Sequence, residues 1–208
     1  MPRRTGSSNR WRQRQERDPY VEQAARAGWR SRAVFKLEQI NAKERILRPG
    51  VVCVDLGSSP GSWSQLAAKL VSPGGRVIAV DLLPMDPLPG VEFVLGDFTS
   101  QETVDALRAA LGGAKADLVM SDMAPNITGT RAIDQPRSLA LIEEALAFAD
   151  EVLAPGGALL VKAFQGEGID EFVKALGTCF GSVKRIKPKA SRAESREIYL
   201  LARNHGMV

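Results

Sequence analysis

The 208-residue chain reads as an α/β protein with a doubly wound, mainly parallel seven-stranded sheet, helices on both faces and the last strand antiparallel. Three observations predict this. Short runs rich in Val, Ile and Leu alternate with segments whose apolar residues recur at helical spacing. Gly- and Pro-rich stops separate the two kinds of segment, at Pro49-Gly50, Pro73-Gly74-Gly75, Gly112-Gly113 and Pro155-Gly156-Gly157. The first strand, 51–56, then runs through the turn Gly57-Ser58-Ser59-Pro60-Gly61 into a helix. Such a junction leaves free backbone N–H groups and a positive helix end at the edge of the sheet.

In order along the chain, residues 1–16 read as a basic, flexible tail and 17–208 as a single domain, with helices in 17–48 and the sheet with its helices in 49–203. Two helices open the domain, at 18–27 and 31–44. Ser31 is placed to cap the second, which carries Ala33, Val34, Leu37 and Ile40 on one stripe. Lys36 lies at the border of that stripe, where the simplest role for a lysine is to lay its stem along apolar surface. Strands follow at 51–56, 76–80, 91–95, 117–120 and 158–161, and helices at 63–70, 101–111 and 136–153 lie between most of them. A helix at 169–180 leads to a strand at 182–187. Only residues 188–196 separate it from a strand at 197–202, too short a link without helical pattern for a parallel crossover. These two strands must form an antiparallel hairpin, and the last one then starts at the edge where the parallel strands finish.

With 44% hydrophobic and 25% charged residues, the composition suits one globular domain with a full core. No apolar run approaches the roughly 18 residues of a membrane span, and the Arg-rich start lacks the apolar face of a transit helix, which predicts a cytoplasmic protein. Cys53, inside an apolar strand, and Cys179, near a helix end, read as small buried hydrophobes of a reducing compartment. The single histidine, His205, sits in the C-terminal tail. These counts argue against a structural zinc site, a Cys/His nucleophile pair or a Ser/His/Asp triad, so any general base must be Lys, Asp, Glu or Tyr. The net charge of +4 is uneven: residues 1–32 hold nine arginines and no lysine against three acids, interleaved with Trp11, Tyr20 and Trp29. Arginines among aromatics suit an arm that pairs guanidinium groups with phosphates and stacks rings on bases. For residues 1–10 alone, a solvated tail is the simpler account.

Each parallel strand is followed by a charged residue, namely Asp55, Asp81, Asp97, Asp122 and Lys162, and the final hairpin adds Glu197. In an open parallel sheet the carboxyl ends of the strands line the ligand crevice, so these groups converge on one rim. Taken singly, an Asp after a strand is commonly a turn or helix cap; the succession, with a lysine in it, points to a site. Asp81 ends the second strand, where an acid takes both ribose hydroxyls of an adenosine ligand, and Asp97 falls near the adenine edge. That leaves a dinucleotide or S-adenosylmethionine. The turn has G-x-x-x-G spacing with Pro60 inside it rather than G-x-G-x-x-G, and no Tyr-x-x-x-Lys pair exists, so S-adenosylmethionine fits better. Trp63 has two available roles, stacking on the ligand or packing on the first helix, and composition favours packing.

The acceptor side lies in Asp122-Met123-Ala124-Pro125-Asn126, which lacks the aromatic of base-amine methylating loops. A ribose hydroxyl is a poor nucleophile and needs its proton taken as it attacks. Lys162, ending a buried strand, suits that task if burial and a second ammonium populate its neutral amine; Lys36 can supply that charge, while Asp122 pulls the other way.

Ser31-Arg32-Ala33-x-Phe35-Lys36-Leu37, Asp55-Leu56-Gly57-x-x-Pro60-Gly61-x-Trp63-Ser64-Gln65, Asp81-Leu82-Leu83-Pro84-Met85, Ser121-Asp122-Met123-Ala124-Pro125-Asn126, Val161-Lys162-x-Phe164-Gln165-Gly166 and Ser191-Arg192-x-x-Ser195-Arg196-Glu197, in this order, resemble the RrmJ/FtsJ ribosomal RNA 2′-O-methyltransferases. The resemblance runs from about Trp11 to Ala202 and implies a Rossmann-like methyltransferase fold. It further implies S-adenosylmethionine-dependent methylation of a uridine 2′-hydroxyl in the A-loop of 23S ribosomal RNA, on the large ribosomal subunit. No metal ligands and no obligate protein partner are evident in the sequence, so a monomer is expected. The family's catalytic set falls on Lys36, Asp122, Lys162 and Glu197, with Lys162 as proton acceptor. Its cofactor positions fall on Gly61, Trp63, Asp81, Asp97 and Asp122, so the resemblance reverses the simpler roles of Lys36 and Trp63. The chain departs from the family at Ser58, Ser59 and Ser62, where relatives carry Ala, Ala and Gly, which touches the fine shape of the cofactor turn. The same chemistry on another RNA, such as a transfer RNA anticodon loop, stays open. So does a non-catalytic RNA-binding assembly factor, against which the intact four-residue set speaks.

Overall fold

A computed structural model describes residues 18–125 and 128–207; the tail 1–16, with Trp11, and Asn126 lie outside the described residues. Two helices, α1 (Pro19–Arg26) and α2 (Val34–Glu44), precede β1 (Val52–Leu56). Then come α3 (Ser62–Val71), β2 (Arg76–Asp81), β3 (Val91–Leu95), α4 (Gln101–Leu111), β4 (Ala116–Ser121), α5 (Arg131–Val152), β5 (Leu153–Phe164), α6 (Ile169–Cys179), β6 (Phe180–Ile186) and β7 (Glu197–His205). The strands form one seven-stranded sheet in the order β3-β2-β1-β4-β5-β7-β6. Pairing is parallel from β3 to β5, and β7 runs antiparallel to both neighbours. The chain winds outward from β1 through β2 to β3, then returns to the centre and winds the other way, so the crevice opens where β1 meets β4.

Strand alternation feeds two cores. Val54, Leu56, Ile198, Leu200 and Ala202 face one side, against α4, α5 and α6. Cys53, Leu118, Met120, Leu160, Tyr199 and Leu201 face the other, against α1, α2 and α3. Cys53 is fully buried, and burial pushes its thiol well above the usual range, as expected of an inert core residue. Among the described residues no helix is long and apolar enough to cross a membrane.

The structure corrects three local expectations. Ser31 does not cap α2. Residues 31–33 instead form a tighter turn, in which the Val34, Phe35 and Lys36 N–H groups donate three residues back, and the Ser31 hydroxyl accepts from Ala33 N (3.3 Å) and bonds Ser62 Oγ (2.8 Å). The serine at position 62 therefore gains a partner across the fold. Helix α5 starts at Arg131, five residues before the expected 136, because Asp134 gathers the preceding loop and Pro136 forgoes only one intrahelical bond. Pro155-Gly156-Gly157 is not a helix stop either: α5 ends at Val152 and the chain passes at once into β5. The three residues then form an irregularity where the register against β4 shifts between Ala116 and Leu118.

Candidate active site

The turn after β1 is shaped by its glycines. Gly57 and Gly61 have φ of +75° and +103°, a region that L side chains avoid. A Cβ on Gly57 would lie 2.1 Å from Met123 Cγ, and one on Gly61 would lie 2.6 Å from Met85 Sδ. The turn is thus pressed between the loops after β4 and β2. Arg30 ties it down further, its guanidinium donating to the carbonyls of Pro60 (3.0 Å), Asp86 (2.8 Å) and Pro87 (3.0 Å). Arg32 ion-pairs with Asp18 at 2.9 Å and donates to Ala190 O at 2.6 Å. Two arginines of the basic N-terminal region are therefore internal fasteners rather than free phosphate ligands, which composition alone could not distinguish.

Between the ends of β1, β2, β3 and β4 lies a cavity of about 520 Å³, lined among others by Gly57, Ser59, Asp81, Asp97, Phe98 and Asp122. That size suits a nucleoside-sized ligand. Asp81 accepts from Ser59 N through Oδ2 and from Leu83 N through Oδ1, both at 2.8 Å, so the acid both lines the cavity and sets the turn. Asp97 uses Oδ1 for Thr99 N (3.0 Å) and Thr99 Oγ1 (2.8 Å), which leaves Oδ2 toward solvent and ligand. Ser58 Oγ is buried beside this cavity's turn and has no partner.

Trp63 is only 3% exposed and does not line the cavity: its Nε1 donates to Ala33 O (2.9 Å) and its ring packs on Tyr199 at 5.7 Å. Its indole holds α3 against the N-terminal helices, and its backbone N–H, in the first turn of α3, has no intrahelical partner. Asp55 also departs from the expected rim. It is 1% exposed beneath the turn, Ser64 Oγ donates to it at 2.6 Å, and burial pushes its carboxyl up to about 7, with Asp122 and Asp81 adding to the rise.

On the α1–α3 face the structure brings Lys36, Asp122, Lys162 and Glu197 together. Lys162 Nζ lies 3.3 Å from Asp122 Oδ1 and donates to the Asp122 carbonyl. Lys36 Nζ is 2.9 Å from Glu197 Oε2 and 3.9 Å from Asp122 Oδ1, while Ser191 Oγ holds the other Glu197 oxygen at 2.7 Å. Both lysines and Glu197 are buried, at 7%, 8% and 9% exposure, so each lysine Nζ is held by carboxylates out of bulk water. The grouping follows from register. Lys162 pairs with Tyr199 across the β5–β7 ladder, Glu197 lies two residues before Tyr199 on the same face, and α2 crosses that face carrying Lys36.

Tyr199 belongs to this cluster and was missed in the sequence. Its hydroxyl donates to Asp122 Oδ1 at 2.5 Å, and burial, then the Asp122 and Glu197 charges, raise its phenol well above the ordinary value and keep it a donor. The signal was available, since Glu197 and Tyr199 stand two apart in a strand. Two further contributors, Asp134 and Gln135, gave no such signal. Asp134 accepts from Thr128 N (2.8 Å), Thr128 Oγ1 (2.9 Å) and Gly129 N (3.0 Å), bonds that hold its carboxyl below the usual range. Gln135 donates to Phe164 O (3.3 Å) and Glu167 O (3.0 Å).

A doubly wound sheet with an acid-lined cavity at its switch point and a Lys-Asp-Lys-Glu cluster beside it is the arrangement a methyltransferase of this fold needs, and the family to which the chain belongs is one of methyltransferases. The chain belongs to the FtsJ-like methyltransferase family, whose model matches residues 29–205. It is 54% identical over 200 residues to "Ribosomal RNA large subunit methyltransferase E" of Marinobacter nauticus, covering 96% of this chain and 97% of that protein. A Plasmodium falciparum protein whose crystal structure carries the name of a ribosomal RNA methyltransferase superposes with a TM-score of 0.77 at 29% identity, over 85% of this chain and 98% of that one. A Streptococcus mutans structure in complex with SAH shares the fold alone, with a TM-score of 0.51 at 15% identity over 76% of this chain and 89% of that one.

Proposed function

We propose that the chain uses S-adenosylmethionine to methylate the ribose 2′-hydroxyl of a uridine in the A-loop of 23S ribosomal RNA, on the large ribosomal subunit in the cytoplasm. The observation that carries this reading is the placing of Asp122, which lines the cavity while its carboxylate lies within 4 Å of the Nζ atoms of both buried lysines. The curated relative's action on large-subunit ribosomal RNA supports the substrate class.

The cavity fits the cofactor in size and in its donor and acceptor set. The start of α3 offers backbone N–H groups, Asp81 and Asp97 offer carboxylate oxygens, and Gly61, which does not line the cavity, lets the turn pack against Met85 and Arg30. Bound there, S-adenosylmethionine supplies a methyl carbon on a sulfonium sulfur, which leaves with the electrons of the broken bond. Lys162, as the neutral amine, takes the 2′-hydroxyl proton while the ribose oxygen attacks that carbon. Asp122 steadies Lys162 through its carboxylate and its carbonyl, and Tyr199 fixes that carboxylate from the other side. Glu197 anchors Lys36, whose charge lies beside Asp122 and offsets it.

The test is to incubate the protein with methyl-labelled cofactor and large ribosomal subunits from cells lacking the gene, then locate the label on the RNA. Label on one A-loop ribose is the expected outcome. Label on transfer RNA, or none on any RNA, overturns the proposal.

A further inference from the structure

Asp122 follows the end of β4 and Lys162 lies two residues before the end of β5; the loops after these strands, described at residues 122–125 and 128–130 and at 165–168, are not hydrogen-bonded to each other by any pair of described residues. Both loops are instead fastened to the first two turns of α5. Asp134 takes three hydrogen bonds from Thr128 and Gly129, in the loop that begins with Asp122. Gln135, the next residue, donates to the carbonyl of Phe164, the last residue of β5, and to that of Glu167 in the loop that follows. Consecutive residues of a helix project about 100° apart, so adjacent side chains can serve two different loops.

The loop after β5 is built around this contact. A Cβ on Gly166 would lie 2.6 Å from Gln135 Oε1, so the loop packs directly on the amide and a larger residue would push it aside. From there the chain of bonds continues: Gln165 N donates to Arg196 O (2.9 Å), and the Arg196 guanidinium returns a bond to Gln165 O (3.0 Å). Arg196 directly precedes Glu197, which holds Lys36. Both α5 residues are buried, at 9% and 7% exposure, and neither touches Lys36, Asp122, Lys162 or Glu197 with its side chain.

We propose that Asp134 and Gln135 are positioning residues: a two-sided clamp at the start of α5 that sets the spacing of the Asp122 loop and the Lys162 loop, and so the aim of the proton acceptor at the ribose hydroxyl. The inference rests on the function proposed above. The clamp lies on the acceptor side. It fastens the loops at Thr128, Gly129, Phe164 and Glu167, none of which lines the cofactor cavity, so loosening the clamp acts on turnover more than on cofactor binding.

The test uses the full-length protein and two variants that preserve shape. Asp134→Asn turns one accepting oxygen into a donor facing donors, and Gln135→Met keeps the length of the side chain but removes both donated bonds. Methyl transfer to ribosomal subunits, cofactor affinity by calorimetry and thermal melting are measured beside the wild type. A displacement of about 1 Å costs on the order of 100-fold in rate. The expected result for each variant is therefore a fall in kcat of roughly 10- to 100-fold, with cofactor Kd and RNA KM within about 3-fold of wild type. A kcat within 2-fold of wild type overturns the proposal, as does a parallel loss of kcat, cofactor affinity and melting temperature, which marks a folding role. Absence of transfer by the wild type itself refutes the proposed function, and this inference falls with it.

Discussion

Replacing Asp55 with Asn should make the protein more stable at alkaline pH and remove a pH dependence that the wild type carries. The carboxyl is buried under the cofactor turn and titrates at about 7 instead of its ordinary 3.8, chiefly because burial disfavours its charge. The native state therefore holds a proton that the unfolded chain has lost throughout the window between those values. Stability contributed by that proton is full below about 4, declines as pH rises, and is gone above about 7, where the native state must carry a buried charge. At about 1.36 kcal/mol per pH unit, the whole window is worth roughly 4 kcal/mol, and the part between pH 5 and pH 8 about 3 kcal/mol. Asn is neutral, has the same shape and still accepts from Ser64 Oγ. Urea unfolding of both proteins at pH 5 and pH 8 and fixed ionic strength measures the effect as a difference of differences. The stability gap in favour of the variant should widen by about 3 kcal/mol toward pH 8. A gap that stays constant to within about 0.5 kcal/mol would show that Asp55 is ionised across the range and refute the reasoning.

Lys162→Ala should abolish methyl transfer while leaving cofactor affinity nearly intact; wild-type turnover in this variant would sink the general-base assignment. Deleting residues 1–16 should weaken RNA affinity and flatten its dependence on salt, because each lost phosphate contact lowers the slope by about one. An unchanged slope returns that arm to a solvated tail. Trp63→Phe should cost about 1–2 kcal/mol of stability through loss of the bond to Ala33 O and of ring contact with Tyr199, with cofactor Kd changed by less than about 3-fold. A large loss of cofactor affinity without loss of stability would place the indole against the ligand instead.

The sheet was legible because its signals are local. Apolar runs of strand length, their Gly and Pro stops and the short link before Glu197 determined seven strands, the two-faced winding and the antiparallel final pair, as the observed order bears out. The acids and the lysine after the strands marked the crevice, since parallel strands end on one side by topology. Where local signals conflict with longer-range bonds, the sequence was a poor guide. The start of α5 depends on Asp134 reaching back to Thr128, and Pro155-Gly156-Gly157 looks like a stop yet lies within β5.

What the sequence by itself determined is the turn at Gly57–Gly61 and the order of charged residues around it, because glycine conformations and strand ends are properties of a few adjacent residues. Only the tertiary structure decided which charges line the cavity and which are internal. Arg30 and Arg32 became fasteners and Trp63 a packing residue. Asp55 sank below the rim, while Lys36 and Lys162 came within 4 Å of one carboxylate. Burial and distance fix those roles, and both arise when α2 meets β5 and β7, each more than a hundred residues further along the chain, on one face.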